Sequence, residues 1–263
     1  MSKWWQVGPF ITIEYEVESG LLIAVTLVML SLMLLLFADR ANLKREAVRY
    51  RRLLTRYCDF VATPPRPTVR VQSWDQTLVL QENGDATCTI AITAVVLKKE
   101  LYFLQLRFGS GWEQPERQRK RVRLTIRNLL IAGTRGTSWE ITTTWLSASR
   151  LDVLAHFHEP VRQGSELRFE VEWSWPGQCV PLMRERRPDE YIFKFSKLWP
   201  LERATYAVIL PAGLDAYHEP VGFAEPNGDF SIDASDDGDR RKFSFTGCNF
   251  PPRKRIGMRL ELK

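Results

Sequence analysis

Leu21–Ala38 reads LLIAVTLVMLSLMLLLFA, 18 consecutive residues without a charge. As a helix rising 1.5 Å per residue, such a stretch nearly matches a bilayer core of roughly 30 Å. Reading outward from it, the chain is expected to be a single-pass membrane protein with most of its mass on one side. The expected segments are a short extracytoplasmic piece (1–20), a transmembrane helix (21–38), a basic juxtamembrane helix (39–62), a proline-rich linker (63–67) and an all-β domain (68–263).

The flanks set the expected orientation, because Lys and Arg are retained on the cytoplasmic side of a span. Residues 1–20 carry Lys3 against Glu14, Glu16 and Glu18, a net of −2. Residues 38–70 carry nine basic residues, among them Lys44, Arg45, Arg49, Arg51, Arg52 and Arg56, against Asp39, Glu46 and Asp59, a net of +6. The N-terminus is therefore expected outside and the β domain in the cytoplasm, at the inner membrane. The basic cluster would also favour anionic lipid headgroups, by about 1 kcal/mol per residue near the surface. A cleaved signal peptide fits less well, since the basic start, short apolar region and small-x-small site are missing. Cys58, Cys88, Cys179 and Cys248 are widely spaced, so reduced thiols are expected.

Leu43, Ala47, Tyr50, Leu54, Tyr57 and Val61 recur at 4-3 spacing. This is a heptad seam, suited to homo-oligomerisation through residues 43–61 or to packing on the protein's own β domain. No Gly or Pro interrupts Phe37–Ala62, and the helix is expected to stop at Thr63-Pro64-Pro65-Arg66-Pro67. Ahead of the apolar stretch, Ile11, Ile13, Tyr15 and Val17 alternate with polar residues, which predicts an extended strand, while Trp4 and Trp5 suit the headgroup layer.

From Thr68 the period changes to two. About a dozen strands are predicted, starting with a hairpin around Asn83-Gly84, and they imply an antiparallel β-sandwich or barrel. Within it, QRKRVRLTIRN would place Arg119, Arg121, Arg123 and Arg127 on one face of a single strand. Guanidinium forks match phosphate and carboxylate, so an acidic or nucleotide ligand, or an acidic protein surface, is the expected partner. A charged row also protects a strand edge. Nucleic acid is not expected, because residues 71–263 carry a net charge of only +2 and lack base-stacking motifs.

Other motifs carry less. His158-Glu159-Pro160-Val161 and His218-Glu219-Pro220-Val221 repeat a tetrapeptide that reads as two similar strand exits, so no metal site is expected. Asp233–Asp239 resembles a calcium loop at its start but has Ser244 where a bidentate Glu belongs, and reads as a hairpin turn on Asp237-Gly238. No nucleophile elbow, P-loop or dinucleotide fingerprint occurs, Gly109-Ser110-Gly111-Trp112 is too short to mark an active-site loop, and neither catalytic residues nor a cofactor are expected. The overall arrangement resembles bacterial membrane-anchored effectors in which a β-barrel senses a cyclic nucleotide and assembles membrane helices. That likeness covers no motif, and no residue is carried over from it. The expected function is a non-enzymatic, membrane-anchored binding or signalling module. A structural scaffold, a ligand-triggered membrane effector and a membrane-bound hydrolase stand behind it.

Overall fold

The computed structural model describes residues 10–62, 67–131, 134–135, 139–193, 200–224 and 228–263. Trp4, Trp5 and most of the proline linker lie outside the described residues, as do the side chains of Arg49, Arg52, Arg56 and Val61. The chain divides into two units, 1–63 and 64–263.

The first unit is one helix, α1 (Phe10–Ala62). Its Leu22–Val48 portion, 27 residues, is long and apolar enough to cross a membrane. The two hydroxyls in the apolar stretch are internally satisfied: Thr26 Oγ1 donates to Leu22 O at 2.7 Å and Ser31 Oγ to Leu27 O at 2.8 Å. Such back-bonding to the preceding turn satisfies hydroxyls that would otherwise lack a partner in hydrocarbon. The expected strand over Ile11–Val17 is not formed, because α1 already begins at Phe10. Nothing between Phe10 and Gly20 breaks a helix, and a lone alternating segment has no neighbouring strand to complete its hydrogen bonds. Lys44, Arg45 and Arg51 are exposed along α1, as are Leu43, Tyr50, Leu54 and Tyr57 of the seam.

The second unit is mainly β, in three sheets. The large sheet contains β1 (Val69–Leu80), β2 (Ala86–Val96), β4 (Arg123–Ile131), β5 (Thr134–Arg135), β8 (Glu166–Trp175), β10 (Leu201–Ile209), β12 (Phe230–Asp237) and β13 (Arg240–Cys248). Its order is β12-β13-β10-β1-β2-β8-β4-β5. One small sheet is β3 (Glu100–Gly109), β7 (Arg150–Arg162) and β6 (Trp139–Ser147), ordered β3-β7-β6. The other is β11 (Ala216–Val221), β14 (Ile256–Leu262) and β9 (Asp189–Phe193), ordered β11-β14-β9. Neighbours pair antiparallel except β1 and β10, which run parallel. Two one-turn helices, α2 (Glu116–Arg119) and α3 (Val180–Met183), join strands.

Alternation explains these strands. In β8 the inward set is Leu167, Phe169, Val171, Trp173 and Trp175, all buried, with Arg168, Glu170, Glu172 and Ser174 between them. In β1 the alternation shifts after Val71, where the register with β2 also shifts, so Trp74, Gln76, Leu78 and Leu80 continue the buried face. The β1–β2 loop holds Gly84 at φ 85, and a Cβ there would meet Val180 at 2.8 Å, so glycine serves both the turn and the approach of α3. Gly238, at φ 68, turns β12 into β13.

Both small sheets face the large one. Phe108 of β3 packs on Trp173 at 4.7 Å and Trp145 of β6 on Trp175 at 5.4 Å. On the other side, Tyr191 of β9 meets Tyr206 of β10 at 5.8 Å and Phe193 meets Trp74 at 6.3 Å. The result is a β-sandwich whose second layer is made of two separate sheets.

Candidate functional site

The break in the second layer opens a cleft of about 970 Å³. One wall is β3 and its exit, Arg107–Gly111, with Arg150 at the start of β7. The other is Pro188–Glu190 and Ile192 on β9, with Arg253, Arg255 and Arg259 on and before β14. Tyr206 is contributed by the large sheet. Backbone pairing holds the walls in shape: Gly109 is opposite Arg150, and Glu190 opposite Arg259.

Five guanidiniums line this space, and their partners differ. Arg107 Nε pairs with Asp152 at 3.1 Å, Arg255 with Glu190, and Arg259 is 3.9 Å from Glu219. Among the described residues, Arg150 and Arg253 have no carboxylate within ion-pair distance. Arg253 also takes the left-handed backbone conformation, φ 67. A non-glycine residue there carries a local cost of about 1–3 kcal/mol, of the kind concentrated at binding sites.

One carboxylate in the cleft is also without an ion pair. Asp189 Oδ1 accepts the backbone N–H of Glu190 at 2.9 Å, and no Lys or Arg among the described residues lies within ion-pair distance of it. Burial is the main reason that its pKa is raised to about 6. Glu190 adds to the rise, while the Glu190 N–H and Arg187 oppose it. Gly111 makes this packing fit, since a Cβ there would stand 2.8 Å from Asp189 Oδ1. Behind Asp189 lie Cys179, Tyr191 and Tyr206, whose pKa values burial raises; they are neutral groups at physiological pH.

The four arginines expected to form one row are separated. Pro115 starts α2, Glu116 pairs with Lys120 at 2.7 Å, and a turn closes with the Arg121 N–H donating to Gln118 O. Arg119 is therefore helical, Arg121 lies in the turn, and only Arg123 and Arg127 are on β4. Proline cannot join a ladder but suits the edge of a helical turn, which is why the strand begins later than alternation suggests. Arg127 pairs with Glu172 at 3.2 Å on the exposed sheet face. Arg119 and Arg123 meet again in a smaller hollow of about 350 Å³ with Lys120, Thr143 and Trp145. There the Arg119 guanidinium sits 5.6 Å from the Trp145 ring centre, and its Nε is buried without a hydrogen-bond partner among the described residues.

Two of the three histidines lie against aromatic rings, His156 at 5.3 Å from Phe103 and His218 at 5.7 Å from Phe243. Among the described residues, no group of three or more His, Cys, Asp or Glu is placed to hold a metal ion. The larger cleft was missed by sequence reasoning. Its signal was the Arg253-Lys254-Arg255 run with Arg259, together with Gly109-Ser110-Gly111, which forms its rim.

No protein-family model matches the chain. Comparison with curated proteins gives no match either. Among solved structures, the chain is similar to a candidate protease from Parabacteroides distasonis, at 9% identity and TM-score 0.50 over 73% of this chain and 40% of that one. It is also similar to an M1 zinc metallopeptidase from Deinococcus radiodurans (14%, TM-score 0.39, 74% and 42%). A third is a candidate nutrient-binding protein from Legionella pneumophila (12%, TM-score 0.43, 75% and 68%). The chain spans about two fifths of the length of the first two. At these identities the first likeness is one of fold alone.

Proposed function

We propose that this chain is a single-pass, membrane-anchored, non-enzymatic binding module whose β domain captures an anionic ligand in the cleft between the two small sheets. The carrying observation is the cleft itself, with five arginines on its walls, two of them without a carboxylate partner among the described residues. The long apolar helix supports an anchor, and the −2 against +6 flanks support an N-terminus outside with the β domain in the cytoplasm. Unpaired guanidiniums at a concave surface are suited to charge-assisted hydrogen bonds, each contributing about 1.5–3 kcal/mol.

The test uses the full chain in lipid nanodiscs, titrated calorimetrically with pyrophosphate, citrate and a cyclic dinucleotide. Substituting Arg150→Gln together with Arg253→Gln should weaken binding of the tightest of these at least tenfold and leave the melting temperature nearly unchanged. If the double variant binds as tightly as the parent, or if the parent binds neither these anions nor a peptide with a free carboxylate, the cleft is not an anion site.

A further inference from the structure

The cleft carries unmatched charge of both signs. Arg150 enters from the β7 wall and Arg253 from the loop before β14, while Asp189 is held on β9 with its carboxylate packed against the Gly111 backbone. Arg187, which pairs with Glu185, only partly opposes the effect of burial on Asp189, and less than the Glu190 N–H does. The five cleft arginines stand outside ion-pair distance of it. A purely anionic ligand would satisfy Arg150 and Arg253 but would bring like charge toward a carboxylate already poor in solvent. A purely cationic ligand would satisfy Asp189 and meet five guanidiniums. Only a ligand with separated charges of opposite sign satisfies both sets.

We propose that the cleft takes a short peptide with free termini, its α-carboxylate held by Arg150 and Arg253 and its α-ammonium by Asp189. This rests on the anion-binding reading above and narrows it. Of the ligands that carry both charges, a short peptide sets them further apart than a free amino acid, whose ammonium and carboxylate share one carbon. The volume agrees, since about 970 Å³ exceeds by several-fold what one amino acid fills. Besides the charged residues, the lining includes Phe108, Ile192, Pro188 and Tyr206, apolar and aromatic surface suited to a peptide's uncharged part. Asp189 would act as the specificity-determining residue, because an arginine cleft without it would accept any carboxylate.

The test compares three probes on the full chain in nanodiscs: tri-alanine with free termini, N-acetyl-tri-alanine lacking the ammonium, and tri-alanine amide lacking the carboxylate. The free peptide should bind at least tenfold more tightly than either blocked form. Asp189→Asn should reduce the free peptide to the level of the acetylated one, and Arg150→Gln should reduce it to the level of the amide. If the acetylated peptide binds as well as the free one, or pyrophosphate binds and no peptide does, this proposal fails while the anion-binding reading stands. If neither peptides nor simple anions bind, both fail together.

Discussion

Asp189 is the residue where folding and binding pull against each other. Its carboxyl has an ordinary pKa near 3.8 when exposed and is raised to about 6 in the folded chain, chiefly by burial. Between these values the native state keeps a proton that the unfolded state has lost, so stability falls as pH rises through roughly 4 to 6. Above pH 6 the ionised form carries the full penalty, at most about 3 kcal/mol from 1.36 kcal/mol per pKa unit. Asparagine keeps the acceptor for the Glu190 N–H and removes the charge. Asp189→Asn should therefore raise the melting temperature at pH 7.5 by a few degrees and by nothing near pH 4, measured against the parent by thermal denaturation. A lower melting temperature at pH 7.5 would mean that the charge is held by something the geometry does not reveal. The same side chain was invisible as a site in the sequence, where Pro188-Asp189-Glu190 reads as an ordinary strand entry.

At the scale of elements, β2 and β8 alternate from end to end, because the two faces of each strand have opposite polarity. The start of β4 was misplaced. Arg119–Arg127 alternates well enough for a strand, and only Pro115 and the Glu116–Lys120 spacing hint at a helical turn. β11 was legible only as a strand exit at His218–Val221, since four of its six residues are exposed and its buried anchor is Ala216 alone. Gly257 shows what pairing demands of one residue. It sits on β14 between β11 and β9, and a Cβ there would fall 2.2 Å from Tyr191 O and 2.8 Å from Ile192 Cα. Since both contacts are backbone, Gly257→Ala must push β9 away from β14 and disturb the wall that carries Asp189. We expect a loss of about 1–3 kcal/mol, read from chemical denaturation, with weakened anion binding at temperatures where the variant remains folded. Unchanged stability would show that β9 can shift without cost.

For the whole molecule, the testable statement is topology. Protease added to intact cells should leave the β domain uncut, and protease added to inverted membrane vesicles should digest it, as followed with an antibody to the C-terminus. Cleavage from outside would place the domain on the far side of the membrane and reverse the orientation drawn from the charged flanks.

The sequence alone determined the parts that depend on local pattern: an apolar helix of membrane-spanning length at Leu21–Ala38, a change of period after the prolines, and a mainly β second unit. Helical length and strand alternation are properties of neighbouring residues, so they survive without knowledge of the fold. Only the tertiary structure decided that the second layer is two sheets rather than one, and so that a cleft exists between them. The parallel pairing of β1 with β10, more than a hundred residues apart, was equally beyond local pattern. The same holds for the site. Arg107, Arg150, Asp189 and Arg253 lie far apart in the chain on segments of ordinary composition, and long-range pairing of β3 with β7 and of β9 with β14 brings them around one space.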